Sequence, residues 1–427
     1  MNTTSSRKKV LTDASQQKLP AYRKCLLIVA ALALAGDLSA QQVVMAAPQQ
    51  PLVAPMMRQE VKDVSSVAPE SAPNTLGPVY AVGEFQLHPH LFASLVHADG
   101  LPVQSGARVT SDIFTFAPGL LADLGQHWTF DYTGTEHTYS AQELRNAFDH
   151  DFRLVGANRT PDLGLQFTAS YSNTSPILIE TAQQTKQKVW AGSLTADHNF
   201  GNLFRYQGSA GVSDTDSQGF SKSRDWVTDH WFRTTLSPKT DAGLGLSYGY
   251  SDIVAKPNSH YTKYLGEIKW RPADRINVSL QGGWQDWHSL SAAIGSERNP
   301  VIQATLDYQP VDQTKISLFD SRLTSNTLDG NGVNKSSSWG ASLNQRLLGK
   351  LFLRLGYTES SSDYRTTAGA SVINRSDTVK SFNTAISIVV FRYWTAAATY
   401  QSLKNDSDLA IYKYSSSQYG VEVRGNF

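Results

Sequence analysis

From about residue 78 onward, apolar and polar residues of this chain take turns with a period of two. Ile276, Val278, Leu280 and Trp284 alternate with Asn277, Ser279, Gln281 and Gln285. Leu163, Leu165, Phe167, Ala169 and Tyr171 alternate with Asp162, Gln166, Thr168 and Ser170. Ala242, Leu244, Leu246, Tyr248 and Tyr250 alternate with Gly243, Gly245, Ser247 and Gly249. The stretches Ile302 to Gln309 and Trp394 to Gln401 repeat the pattern. Successive side chains of a strand face opposite sides, so each stretch predicts a strand with one apolar and one polar face.

A soluble sandwich alternates too, and three further features separate the cases. The segments run to about ten residues, longer than the usual soluble strand and matched to a tilted strand crossing a bilayer. Aromatics mark their ends: Trp128, Tyr171, Trp190, Trp270, Trp284, Tyr308, Tyr357 and Trp394. Amphipathic rings at those heights suit the two headgroup regions of a membrane. Short turns, such as Asn199-Phe200-Gly201-Asn202 and Leu348-Gly349-Lys350, alternate with longer polar stretches at 213–224, 325–335 and 360–376. One short-turn end and one long-loop end is the asymmetry of outer-membrane barrels. The fold class predicted is all-β: a transmembrane antiparallel up-and-down β-barrel over residues 76–427. About nine hairpins give about 18 strands, with 16 as the alternative, since an even number leaves both chain ends in the periplasm. The first pair, near Leu91 to Val96 and Asp112 to Leu121, is the least regular. No loop is long enough to be an obvious plug domain.

The N-terminus reads differently. Arg7, Lys8, Lys9, Arg23 and Lys24 precede an apolar run from Cys25 to Gly36, followed by small residues at Ala40 and Ala46. That order predicts a secretory signal peptide over residues 1–46. The apolar run is too short to span a bilayer as a helix, which takes roughly 20 residues. Residues 47–75, rich in Gln, Pro, Val, Ala and Ser without periodicity, read as a disordered periplasmic linker.

Composition sharpens the picture. Charged residues make up only 18% of the 427, against about a quarter in a soluble domain, while aromatics reach 10%. A net charge of +1 argues against nucleic acid as a partner. The single cysteine, Cys25, falls in the predicted signal, so a mature chain would have neither a disulfide framework nor a thiolate metal site.

The chain ends Tyr419-Gly-Val421-Glu-Val423-Arg-Gly-Asn-Phe427. Tyr419, Val421, Val423 and Phe427 share one face, and Glu422, Arg424 and Asn426 the other. An alternating last strand with a terminal aromatic resembles the β-signal of bacterial outer-membrane proteins, which implies the barrel-assembly machinery as a partner. The opening segment Leu76-Gly77-Pro78 and Phe85-Gln86-Leu87-His88-Pro89, with the later Phe116-Ala117-Pro118-Gly119-Leu120, resembles the β-barrel porin type associated with exopolysaccharide operons. The acidic-Asn pair of that type is here Ala98-Asp99-Gly100. The resemblance spans most of residues 76–427 and implies a large barrel without a known catalytic site.

Candidate chemistry is sparse. Gly245-Leu-Ser247-Tyr-Gly249 matches the nucleophile elbow G-x-S-x-G, which needs a strand-to-helix turn, yet it lies inside an alternating strand. Asp149-His150-Asp151 and the Asp225 to His230 stretch put carboxylates beside histidine, but adjacent strand residues face opposite ways. His88 and His90 flank Pro89 and form a weak metal pair without further ligands. No enzyme activity, cofactor or metal is expected. The polar face carries both signs: Asp131, Asp151, Arg153, Asp197, Arg205, Lys263, Glu267, Lys269, Asp307, Lys315, Arg354, Glu422 and Arg424. On the lipid face Arg or Lys would cost about 2–4 kcal/mol at the midplane, so these residues are expected inside, as stiffening ion pairs or a solute-selective ladder. The sequence thus predicts a cell outer-membrane, porin-like passive channel for small hydrophilic solutes. The alternative is a non-catalytic barrel component of an exopolysaccharide or envelope export system. Outer-membrane lipid is an expected partner, and a homo-oligomer is compatible with the chain.

Overall fold

In a computed structural model, the described residues run from Tyr80 to Phe427, except 104–105, 202, 291–294, 329, 331 and 369–370. The predicted signal peptide and linker lie outside them. Among the described residues, nineteen strands share one sheet. The short Tyr80–Val82 only folds back onto Phe85–Leu87. The others are β1 (Phe85–Pro102), β2 (Arg108–Leu124), β3 (Trp128–Tyr139), β4 (Ala147–Arg159), β5 (Leu163–Thr174), β6 (Gln187–Phe200), β7 (Phe204–Ser217), β8 (Ser223–Ser237), β9 (Thr240–Ile253), β10 (Ser259–Ala273), β11 (Ile276–Ser289), β12 (Ser296–Val311), β13 (Thr314–Asn326), β14 (Gly332–Leu347), β15 (Leu351–Ala368), β16 (Ser371–Phe391), β17 (Trp394–Ser407) and β18 (Tyr414–Asn426). Each pairs antiparallel with its sequence neighbours. The ring closes where β1 pairs with β18, from His90↔Asn426 to Asp99↔Ser417. The result is a closed 18-stranded up-and-down barrel.

Closure of the ring leaves no edge strand within the apolar band, which is what a sheet in hydrocarbon requires. The outer face carries the large apolar side chains. Leu244, Leu246, Tyr248, Ile268, Leu280, Ile302 and Ile386 are all exposed there. Trp270 and Tyr308 ring the short-turn end of this band, and Trp190, Trp284 and Trp339 the other; all are exposed. An apolar band between two aromatic girdles on a closed barrel places the chain in the outer membrane.

Two expectations need correcting. The stretches 213–224, 325–335 and 360–376 are not long loops: strands run through most of them, β7 reaching Ser217 and β8 beginning at Ser223, β13 reaching Asn326 and β14 beginning at Gly332, and β15 reaching Ala368 and β16 beginning at Ser371. The strands are correspondingly longer than ten residues, reaching 18 in β15 and 21 in β16. Apolar alternation ends where the lipid ends, but the hydrogen-bond ladder continues into water with polar side chains on both faces. The irregular first pair is in fact 18 and 17 residues long.

Candidate functional site in the barrel lumen

The polar face predicted from sequence is the inner wall, and the register brings some of its charges together. Arg205 forks onto Asp197 from the neighbouring strand. Glu267 receives Lys269 at 3.1 Å and Arg233 at 3.2 Å, and Arg233 also donates to Gln207 Oε1 at 2.6 Å. Lys315 meets Asp307 at 3.1 Å, and Arg354 donates to Asn344 Oδ1 at 3.0 Å. Asp131 and Arg153 are register partners, with Asp151 two residues before Arg153 on the same face. Glu422 and Arg424 stand opposite Ser94 and Phe92. Lys263 lies 4.8 Å over the Tyr261 ring.

Sequence reasoning missed Arg233, although it is among the most enclosed cations of the wall. In its strand, Trp226 and Phe232 face outward while Val227 and Trp231 face inward. With apolar residues on both faces, the alternation that identifies a lumen position is lost. The inward rings of Trp231 on β8 and Tyr261 on β10 both lie over glycines of the strand between them, β9. A Cβ on Gly245 would come within 2.8 Å of the Trp231 ring, and one on Gly249 within 2.2 Å of the Tyr261 ring.

The other singled-out residues are also placed. Ser247 is buried on the inner face within β9, and its strand continues to Ile253 with no helix after it. Asp149 faces inward, 3.5 Å from His137, while His150 faces outward against the Tyr132 hydroxyl at 3.0 Å. Asp225, on the inner face, accepts a hydrogen bond from Ser251. His88 and His90 pair with different carboxylates, Asp123 at 3.8 Å and Asp131 at 3.2 Å. Among the described residues, no group of three or more His, Cys, Asp or Glu could hold a metal ion.

The end of the barrel opposite the C-terminus is covered from inside. The segment joining β5 to β6 carries a miniature hairpin, Ile177–Leu178 with Gln183–Gln184. Ile177 and Ala182 pack into an apolar cluster with Ala98, Leu101, Ile113 and Tyr414 of the inner wall. Reciprocal 2.8 Å bonds between Gln184 and the Arg145 backbone tie it to the preceding connection. The upper ends of β13 and β14 also lean inward from the wall, with β14 still laddered to β15 as far as Gly332↔Thr366, so the seam opens only between β12 and β13. β12 pairs with β11 as far as Ser296, but with β13 only as far as Ile302↔Arg322. Above that row, β13 crosses over the inner side of β12: Gln285 of β11 donates to the Thr324 carbonyl at 3.3 Å. Asn326 bonds Ser259 at 3.0 Å and Ser251 at 2.8 Å, on β10 and β9. Leu323 packs on Trp231, Leu265 and Val301, and Val333 on Trp287 and Tyr261. The two inward segments meet where the Leu328 amide donates to Glu180 Oε1 at 2.8 Å. Among the described residues, the covering is done by segments within ordinary hairpins rather than by a separate plug domain.

No family model matches the chain, and no curated protein matches it. Among solved structures, it is similar to Pseudomonas aeruginosa OpdL, at 13% identity over 81% of this chain and 99% of that one, with a TM-score of 0.44. Pseudomonas aeruginosa OccK2 (OpdF), in complex with glucuronate, matches at 11% identity over 80% and 98%, with a TM-score of 0.46. The ferric enterobactin receptor PfeA of the same organism matches at 9% identity over 80% of each chain, with a TM-score of 0.43.

Proposed function

We propose that this barrel is a passive, porin-like channel for small hydrophilic solutes, without a catalytic step of its own. The observation that carries the reading is the inner wall. It is lined along its height with charged and hydrogen-bonding side chains, while the outer wall is apolar. A ring of 18 strands is wide enough to enclose an aqueous path. The paired signs on that wall, Arg205 with Asp197, Glu267 with Lys269 and Asp307 with Lys315, leave little net field and favour weak ion selectivity. The last strand supports recognition by the barrel-assembly machinery, since Tyr419, Val421 and Val423 are exposed on its outer face.

The test is single-channel recording of the refolded protein in a planar bilayer. Stable open steps with a reversal potential near zero in a salt gradient are expected. A correctly inserted barrel that never conducts overturns the channel reading. It would move the assignment to the second one, a non-catalytic component of exopolysaccharide or envelope export. The covered outer end favours that second reading.

A further inference from the structure

The missing pairing between β12 and β13 is a feature of both strands at once. Ser296–Val301 pairs with β11 on one side and with nothing on the β13 side. Residues 323–326 of β13 pair with β14 on one side only. Continuing the existing register past Ile302↔Arg322 would set Val301 against Leu323 and Asn299 against Ser325. No slip is needed, and inward residues would oppose inward residues. Two bare strand edges in matching register are a template for pairing.

The inward position has its own set of contacts. Asn326 takes the place of a ladder with bonds to Ser251 and Ser259. Glu297 bridges the gap by bonding Lys335 at 2.7 Å and Arg365 at 3.1 Å. The link to the second covering segment is the Leu328–Glu180 bond. The same flap, β13 and β14 with the attached end of β15, thus has two packings, one satisfied by side chains across the lumen and one by main-chain ladder between β12 and β13 in the wall. We propose that it is a gate: it closes the outer end when folded inward and opens it by zipping Ser296–Val301 onto 323–328. Two discrete arrangements of one element, rather than continuous flexing, are the usual basis of such switching.

The proposal is tested by locking each arrangement, and its electrical readout rests on the channel reading. Two cysteine pairs are placed in a Cys25→Ser background in outer membranes. Asn299→Cys with Ser325→Cys marks the zipped state. Ser259→Cys with Asn326→Cys, bridged by a short bifunctional methanethiosulfonate that a reductant removes, marks the folded-in state. Both pairs are expected to cross-link, read as shifted mobility on non-reducing gels. The bridged Ser259/Asn326 protein should lose its open steps and regain them on reduction, while the oxidised Asn299/Ser325 protein stays open. The gate is overturned if the Asn299/Ser325 pair fails to cross-link in correctly inserted barrels, or if the two locked proteins both conduct and do so equally. Cross-linking of both pairs without conduction in any state would uphold the two positions and sink the channel reading instead.

Discussion

Arg233 is 7% exposed on the inner wall, its guanidinium 4.9 Å from the centre of the Trp231 ring and bonded to both Glu267 and Gln207. Removing it leaves Glu267 enclosed with Lys269 as its remaining ion-pair partner among those described. Breaking one side of such a pair costs about 3 kcal/mol, because the partner stays desolvated. Arg233→Ala should therefore lower the urea midpoint of the micelle-refolded barrel by that equivalent, and an unchanged midpoint would show the pair to be well hydrated. Glu297 acts at the same scale but on the covering hairpin. It lies beyond Pro300, the register partner of Trp284 in the outer girdle, and so outside the membrane span. Burial pushes its carboxyl up, but the hydrogen bond and charge of Lys335, together with hydrogen bonds from Asn299 and Arg365, hold it below the usual range. Arg365 and Asn299 face it as well. A depressed carboxyl contributes its full stabilisation above the ordinary Glu value of about 4.3 and loses it as pH falls through the lowered one. Open probability should accordingly rise only at strongly acid pH. Glu297→Gln should raise it at neutral pH and flatten the acid step; a variant keeping the full acid step would place the sensing group elsewhere.

At the scale of elements, the last strand and the covering hairpin contrast. β18 closes the ring against β1, and the Phe427 amide donates to the Pro89 carbonyl at 2.8 Å. The Phe427 ring meets Trp394 edge-on at 5.2 Å, so the terminal aromatic is anchored at the short-turn end. Such a ring contact is worth about 0.5–1.5 kcal/mol, too little to decide whether the barrel stays folded. Phe427→Ala should thus barely alter the unfolding midpoint but reduce the amount of heat-modifiable barrel reaching the outer membrane. Equal losses in both measurements would make the residue structural rather than an assembly signal. The motif was legible from residue order alone because its face pattern is local. The hairpin of β13 and β14 was not. The sequence there, Leu323 to Asn326 and Val333 to Ser336, reads as polar and alternating whether it continues in the wall or bends inward. Its course depends on Asn326 finding Ser251 and Ser259 some 67 to 75 positions earlier in the chain.

For the whole molecule, the period of two, the aromatic ends and the short turns determined a membrane barrel of about 18 strands with a polar inner face, because strand geometry and the bilayer both act on local sequence. The same alternation assigned the predicted lumen charges to the inner wall without any knowledge of their neighbours. Tertiary structure alone decided which charges meet, since Arg205 reaches Asp197 and Lys315 reaches Asp307 through cross-strand register. It also decided that the outer end is covered. Side-chain alternation fixes which way a residue faces along its own strand; it carries no information about whether that strand stays with its neighbour or leaves it to cross the lumen.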